Sequence, residues 1–308
     1  MDIFDKLVEL AQIKGSVDVQ CRLQGSWYVR QEPKRARGLA HIVTEGEGYL
    51  RVDGEVESRL LTAGDIVFFP RIAGHTISSS RDCNNTEDTP YWVQNGIFTL
   101  KKRGSQGRSL NLFCARFEYD SRADLIDGLP ETVHLNIDRA ALQPLTAMLE
   151  YEAERSDKGS ATVVNALSSV LLVMLMRAYL VQENRKLPAG TLNGWHHPRL
   201  RAVVQAVLTA PEKAWSVQEM AAAANVSRAQ LMRLFKQQIG VSPHAFVNSI
   251  RLQQAAVLLK QTADSILSVA LSVGFQSETH FGKTFKKQYG VSPGQYRKNG
   301  CIVQPSEK

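Results

Sequence analysis

Short apolar segments, separated by glycines and charged residues, dominate the first 120 residues of the chain. Four of them are LAHIV (39–43), GYLRVDG (48–54), GDIVFFP (64–70) and LNLFCARFEY (110–119). They have the length of strands, their apolar and polar positions partly alternate, and turn residues lie between them. The pattern predicts a β-sandwich or a small β-barrel.

The pattern becomes helical after Pro130. Residues 139–155 and 161–183 repeat their apolar positions with helical spacing, and the second segment is apolar around much of its circumference. A helix of that kind must be buried, either within its own chain or against a second copy. Its longest uninterrupted apolar run, Val170–Met176, is too short for a membrane span, so we expect no membrane partner.

The last third of the chain contains an internal repeat with an offset of 50 residues. FKQQIGVSP at 235–243 returns as FKKQYGVSP at 285–293. A short helical segment, a turn and a second helical segment precede each copy, and Ser227 and Ser277 stand where the second helices should begin. Serine is a favoured helix N-cap, so each copy reads as a helix-turn-helix. Residues 243–261 are predicted to connect the two copies as a helix.

The excess of basic residues coincides with this repeat. Residues 191–308 hold 14 Lys or Arg against 5 Asp or Glu, whereas residues 1–190 hold 23 against 25. Such asymmetry favours a polyanionic partner, and double-stranded DNA is the leading candidate. If the 243–261 helix connects the two copies, the second helix of each copy has the geometry to enter successive major-groove segments. A helical repeat without a DNA role is the alternative.

The segment GFQSETHFGKTFKKQYGVSPGQYR at 274–297 resembles the signature of the AraC/XylS family of transcription regulators. The matching positions are Gly274, Phe275, Ser277, Phe281, Phe285, Lys286, Gly290, Ser292, Pro293, Tyr296 and Arg297. The resemblance implies an α+β multidomain protein with a cupin-like β-barrel sensor. We expect a sensor domain over 1–130, a helical dimerisation and linker segment over 131–190, and a double helix-turn-helix DNA-binding domain over 191–300.

The resemblance also implies which residues contact DNA. Base-reading positions correspond to Ala229, Met232 and Arg233 in the first copy, and Arg233 is the first choice for direct readout because it can donate two bonds to guanine. In the second copy, Gly282 falls at a reading position but has no side chain. The complete predicted interface is Ser227, Arg228, Ala229, Gln230, Met232, Arg233, Lys236, Gln276, Ser277, Thr279, His280, Lys283, Lys286 and Arg297. Of these, Ser277, Lys286 and Arg297 are expected on phosphates.

A metal site is one candidate for what the sensor detects. The family's cupin pattern has two histidines and a glutamate on one strand, and here His41 and Glu45 are present while Val43 replaces the second histidine. With the later His75 and Cys114, a set of imidazole and thiolate ligands would suit zinc. The alternative is two ordinary histidines and a buried free thiol.

Two further sensing chemistries remain open. Cys21 and Cys83 lie in polar settings and are candidates for a thiol switch, which requires exposure and a lowered pKa. A small hydrophobic inducer would instead need an apolar, aromatic pocket. The candidates for its walls are Trp27, Phe68, Phe69, Trp92 and Phe98, which are equally compatible with the core.

Together these features predict a ligand-responsive, DNA-binding transcription activator. We expect a cytoplasmic homodimer, paired through the 161–183 helix, whose partners are promoter DNA, RNA polymerase and a small hydrophobic inducer. The opening segment and VVNALSSVLLV at 163–173 resemble activators of multidrug efflux-pump operons. The alternatives are a repressor, a thiol-redox or metal-responsive regulator, and a cupin enzyme fused to a DNA-binding domain. The incomplete set of metal ligands argues against the enzyme.

Overall fold

The computed structural model describes residues 3–32, 38–71, 73–83, 90–95, 98–104, 106–120, 122–155, 157–181 and 187–301. The chain forms two compact units, each built from separate stretches of sequence. The barrel unit comprises Ile13–Tyr119 and Leu129–Arg185, and the C-terminal unit comprises Met1–Gln12, Asp120–Gly128 and Lys186–Lys308. The division at residues 130 and 190 stays a prediction, because the units do not follow the order of the sequence.

Ten strands lie in the described residues of the barrel unit. They are β1 Lys14–Gln24, β2 Tyr28–Gln31, β3 Gly38–Val52, β4 Arg59–Thr62, β5 Asp65–Phe69, β6 His75–Ser78, β7 Tyr91–Asn95, β8 Phe98–Arg103, β9 Ser109–Glu118 and β10 Val133–Asn136. The main path of the sheet is β10-β5-β3-β9-β1-β8-β7, and only its β1–β8 pair is parallel. These strands confirm the predicted β-barrel class.

The long strand β3 belongs to both parts of the sheet. Its first half pairs with β5 and β9, and its second half pairs with β4 and β6. The pairing with β9 shifts register between Val43 and Glu45, which bends the strand. Gly46 follows at φ +79°, and a Cβ there would lie 1.9 Å from the Ser109 carbonyl oxygen, so only glycine fits.

Twelve helices complete the described parts of the chain. They are α1 Ile3–Ala11, α2 Asp124–Asp127, α3 Arg139–Arg155, α4 Ser160–Val181, α5 Thr191–His196, α6 Arg201–Thr209, α7 Val217–Ala223, α8 Arg228–Leu234, α9 Pro243–Gln261, α10 Ile266–Ser272, α11 Glu278–Tyr289 and α12 Pro293–Cys301. A π-helical turn, Phe235–Ile239, extends α8. The predicted helices at 139–155, 161–183 and 243–261 are confirmed within the described residues; 182 and 183 lie outside them.

The apolar helix α4 packs on its own barrel. Its buried side chains face β1, β10 and α3. Gly15 of β1 makes close approach possible, since a Cβ there would lie 2.7 Å from the Ser168 Cβ. By length and composition α4 is the one described helix that could cross a membrane, but this packing identifies it as a core helix. Its other face leaves Val170 and Val181 exposed.

The C-terminal unit includes two stretches from the first half of the chain. Helix α1 buries Ile3, Phe4, Leu7 and Leu10 and packs against α6 and α9. The 120–128 stretch joins it, because the Asp120 amide donates to the Ala11 carbonyl at 2.9 Å. The Asp120 carboxylate also accepts a 2.7 Å bond from the Tyr296 hydroxyl of α12. The sequence had assigned both stretches to the sensor.

Candidate nucleic-acid interface and barrel interior

The repeated GVSP sequence ends one helix and begins the next in both copies. Gly240 and Gly290 adopt φ of 90° and 79°, the left-handed conformation that ends a helix and favours glycine. Ser242 then caps α9, where its side chain accepts from the Ala245 amide, and Pro243 occupies the first turn. The repeat in sequence is therefore a repeat of helix boundaries.

The predicted N-caps are confirmed. Ser227 accepts from the Gln230 amide at the start of α8, and the Gln230 side chain bonds back to the Ser227 amide. Ser277 accepts from the His280 amide at the start of α11. In these positions α7 with α8, and α10 with α11, form the two helix-turn-helix units. We call α8 and α11 the first and second reading helices.

The first reading helix separates a buried face from an exposed one. Leu231 and Phe235 are fully buried. The predicted DNA-contacting residues are all exposed: Ser227, Arg228, Ala229, Gln230, Met232, Arg233 and Lys236. Some of them already have partners, since Arg228 bonds to Gln218 and Lys236 donates to the Gly240 carbonyl. Within the described chain Arg233 makes no hydrogen bond or ion pair, which leaves its guanidinium available.

The second reading helix has the same division. Phe281 and Phe285 are fully buried. The exposed predicted residues are Gln276, Ser277, Thr279, His280, Lys283 and Lys286. Arg297 behaves differently: its guanidinium donates to the carbonyls of Leu259 and Asp264 at 3.2 and 2.6 Å. This geometry ties α12 to the end of α9, so we no longer assign Arg297 to a phosphate.

Arg251 and Gly274 hold the two helix-turn-helix units together, and sequence reasoning missed this role. Arg251 of α9 donates to the carbonyls of Pro211 and Lys213 at 2.7 and 2.8 Å. Gly274, in the turn after α10, lies against the backbone of Glu212. The loop that leads into the first unit is therefore fixed to the second. A groove of about 600 Å³ runs between them.

Inside the barrel, polar side chains form a row across four neighbouring strands. His41 of β3 pairs with Cys114 of β9, Cys21 of β1 lies diagonally from Cys114, and Lys101 of β8 pairs with Cys21. Cys114 Sγ lies 3.3 Å from His41 Nδ1, and His41 Nε2 lies 2.8 Å from His75 Nε2. Sequence spacing alone does not predict this row, because it depends on strand order and register.

The direction of the hydrogen bonds in this row follows from one carbonyl. The Ala73 oxygen can only accept, so His75 Nδ1, 2.8 Å away, is the donor. Burial lowers the pKa of His75 to about 4 and that of His41 well below its usual value, so both rings are neutral. His75 Nε2 then accepts from His41 Nε2, and His41 Nδ1 accepts from the Cys114 thiol.

The predicted zinc site is not supported by this arrangement. His41, His75 and Cys114 do lie together, but Cys114 contacts one ring nitrogen of His41 while His75 contacts the other. The two nitrogens face opposite sides of the ring, so a single tetrahedral ion cannot take all three residues. No cluster of three metal-binding side chains is present among the described residues.

Cys21 and Cys83 also differ from their predicted settings. Cys21 lies in strand β1, and Cys83 lies in the loop after β6, but both thiols are buried. Cys83 contacts the Tyr49 carbonyl in the second half of β3. Burial raises the pKa of Cys83, which makes its thiol less reactive. The thiol beside Cys21 is that of Cys114, which lowers the pKa of Cys21.

The predicted aromatic pocket does not form. Trp27 lies in the barrel core, and Phe69 stacks on His75 at 4.1 Å between ring centroids. Phe68 and Phe98 pack edge-on or tilted against Phe117 and Phe113. Trp92 is 57% exposed and carries Lys101 over its ring. In the described part of the chain these side chains therefore belong to the core or to the surface.

Two cavities in the barrel unit have different characters. One of about 30 Å³ lies beside the polar row and is lined mainly by Cys21, Leu23, Val29, His41, Lys101 and Cys114. It has room for about one water molecule. A cleft of about 310 Å³ lies between β3 and α3, and charged groups such as Glu45, Arg139 and Glu150 line it.

A cupin family model matches residues 2–181 and a helix-turn-helix domain model matches residues 220–299. The chain is 57% identical over 97% of its length to the HTH-type transcriptional regulator MtrA of Neisseria gonorrhoeae, covering 99% of that protein. It is 27% identical over 99% of its length to the RCS-specific HTH-type transcriptional activator RclR of Escherichia coli, covering all of it. Fatty-acid-bound ToxT of Vibrio cholerae is 14% identical, with 92% of this chain and 94% of that one covered and a TM-score of 0.38.

Proposed function

We propose, on the premise that the chain belongs to the AraC family of helix-turn-helix transcription regulators with an N-terminal cupin domain, that it activates promoters in response to a small hydrophobic compound. The family consists of DNA-binding regulators and not of enzymes, so the alternative of a fused cupin enzyme is withdrawn. Promoter DNA and RNA polymerase place its work in the cytoplasm.

The two exposed reading faces support a specific division of labour on DNA. Arg233 is exposed and without an intramolecular partner, so it can donate two bonds to a guanine edge. Ala229 and Met232 beside it offer apolar contact to thymine methyl groups. The second reading helix presents Thr279, His280 and Lys283, but Gly282 between them offers no contact. The first unit therefore carries most of the sequence discrimination, and the second mainly fixes position.

Promoter binding by the full chain tests this division. We expect Arg233→Ala to lower the preference for promoter over random DNA by roughly 5–150-fold, the equivalent of about 1–3 kcal/mol for a bidentate base contact. Lys283→Gln should weaken binding to both DNAs alike and reduce the salt dependence. Arg199→Ala is the matched control, because it removes an exposed arginine that lies outside both helix-turn-helix units. An unchanged preference in Arg233→Ala would refute the assignment.

Dimerisation through α4 is the second part of the proposal. Its outward face leaves Val170 49% and Val181 77% exposed, and such apolar side chains on a helix favour a partner surface. We expect a dimer by sedimentation of the full chain, and a monomer after Val170→Glu. Leu60→Glu in β4 is the matched control: Leu60 is about as exposed as Val170, and its substitution should leave the dimer intact. A monomeric wild type at high concentration would contradict this assignment.

The inducer and the operon are proposals that rest on the resemblance to efflux activators. The cavity beside the polar row has space for about one water, so a hydrophobic inducer that binds there has to separate its walls. Binding should raise the unfolding temperature of the full chain in proportion to the logarithm of concentration. Transcription in vitro with RNA polymerase then distinguishes the two signs of regulation: an activator increases transcript from the promoter, and a repressor decreases it.

A further inference from the structure

The pair of thiols inside the barrel has no part in DNA reading. Cys21 and Cys114 belong to the same buried cluster, with exposures of 3% and 9%. They lie on adjacent antiparallel strands, where Val19 is opposite Cys114 and Cys21 is opposite Leu112. The two thiols are therefore diagonal neighbours on the inner face, and both line the same small cavity.

We propose that Cys21 and Cys114 are a redox site that reacts with small two-electron oxidants, such as hydrogen peroxide, and closes to a disulfide. This goes beyond the proposed inducer response, because it gives the sensor domain a covalent chemistry of its own. Three features of the site carry the proposal: the charges around Cys21, the proton acceptor beside Cys114, and the cavity that both thiols line.

Cys21 is the thiol that reacts first. The hydrogen bond from Cys114 lowers the pKa of Cys21; burial acts in the opposite direction, and the positive charge of Lys101 on the neighbouring strand adds to the lowering. When Cys21 ionises, the Cys114 proton turns from His41 toward the new thiolate. At Cys83 burial prevails over the positive charge of Arg51 and raises the pKa of the thiol.

Both steps balance with peroxide as the only co-reactant. The Cys21 thiolate attacks one peroxide oxygen, the O–O bond breaks, and Cys21 becomes a sulfenic acid while hydroxide leaves. The proton that Cys21 released on ionisation converts this hydroxide to water. Cys114 sulfur then attacks the Cys21 sulfur, the S–O bond breaks, and the disulfide forms. The Cys114 proton passes by way of His41 Nδ1, 3.3 Å from Cys114 Sγ, to the departing hydroxide as water. The two thiols lose two electrons and peroxide is reduced to water.

The cavity selects the size of the oxidant. About 30 Å³ beside the two thiols admits a molecule close to the size of water and excludes bulky thiol reagents. Closure also moves the strands, because diagonal Cα atoms are about 7–8 Å apart and a disulfide requires roughly 4.4–6.8 Å. The register shift in β1 between Val17 and Val19 is the place where that movement can occur. A strained bridge of this kind is readily reduced, so we expect it to reopen with glutathione.

Peptide mapping of the full chain tests the proposal. Cys301 is replaced by serine throughout to prevent links between chains. The protein is treated with hydrogen peroxide, denatured in the presence of an alkylating agent, and digested. The expected product is a peptide pair linked through Cys21 and Cys114, which glutathione separates. A link from Cys21 to Cys83, or full alkylation of both thiols after peroxide, would overturn it.

Two substitutions make the test independent of a single variant. In Cys114→Ser the sulfenic acid on Cys21 has no partner, so a dimedone adduct, formed by denaturing the oxidised protein in dimedone, should accumulate several-fold above wild type. Cys114→Ala removes the partner and also the group that lowers the pKa of Cys21, so its adduct should form more slowly than in Cys114→Ser. Cys83→Ser is the matched control and should form the Cys21–Cys114 bridge at the wild-type rate. Equal dimedone labelling of Cys21 in wild type and in both Cys114 variants would also overturn the proposal. The readout is chemical, so it stands or fails separately from promoter binding.

Discussion

Replacing Gly274 by alanine should destabilise the C-terminal unit more than a single methyl group would suggest. Gly274 adopts φ +93°, and a Cβ there would lie 2.6 Å from the Glu212 carbonyl oxygen and 2.8 Å from the Glu212 Cα. Both contacts are with backbone, which cannot rotate away as a side chain can. The loop at Glu212 is itself held by Arg251, so it has little freedom to retreat.

Two costs combine in this substitution. The left-handed conformation costs a residue with a Cβ roughly 1–2 kcal/mol. Forcing an extra carbon into a packed site costs about 1–3 kcal/mol more. We therefore expect Gly274→Ala to lower the free energy of unfolding by roughly 2–5 kcal/mol. At about 2–4 °C per kcal/mol for a unit of this size, the melting temperature should fall by roughly 4–20 °C.

Calorimetry of the full chain is the appropriate assay, because it can resolve the transitions of the two units. Gly282→Ala is the matched control: it adds the same methyl group in the interior of α11, where a Cβ would meet nothing within 4 Å. It should raise stability by about 0.5–1 kcal/mol through the better helix propensity of alanine. If Gly274→Ala had the same melting temperature as the wild type, the close approach at Glu212 would not be what requires glycine.

Three further predictions concern packing, capping and pH. Phe281→Ala should lower the free energy of unfolding by about 3–5 kcal/mol in urea, because the ring is fully buried. Ser227→Ala and Ser277→Ala should each cost about 1 kcal/mol by the same measurement, since each removes an N-cap bond, whereas Ser→Thr at either site should be nearly neutral. Burial works against ionisation of Asp65, but bonds from His134, Asn136 and the Thr62 amide prevail and lower its pKa to about 2. Its contribution of roughly 2–3 kcal/mol to the barrel unit is therefore complete above about pH 4 and lost as the pH falls through 2. In Asp65→Asn the free energy of unfolding, measured with urea at pH 5 and pH 2.5, should fall less between the two pH values than in the wild type. An equal fall in the variant and the wild type would contradict this assignment.

Local sequence signals predicted the helix ends and the exposed helix faces, because both depend on residues close together in the chain. The GVSP repeat marks helix ends because glycine, serine and proline each impose a backbone conformation on their own position. The exposed face of α8 follows from helical spacing alone. Sequence therefore located both helix-turn-helix units and the residues they present.

Contacts between distant strands and helices were beyond that reasoning. Cys21 and Cys114 meet because β1 pairs with β9, and neither spacing nor residue type determines that register. Aromatic residues are equally suited to a pocket wall and to a core, so Phe68 and Phe98 were misassigned. Arg297 looks like a phosphate ligand until the carbonyls of Leu259 and Asp264 are placed beside it.

The interrupted sequence of the C-terminal unit also constrains how the protein is made. Helix α1 leaves the ribosome before the barrel strands, but α6 and α9, against which it packs, are synthesised only after residue 200. The strands of the barrel are translated in the interval, so they can fold before the apolar face of α1 has found its partners. A fragment that starts at residue 186 would lack α1 and expose the surfaces that Ile3, Phe4 and Leu7 cover. Completion of the C-terminal unit is thus a late event in synthesis, because α1 can pack only after α6 and α9 have been translated.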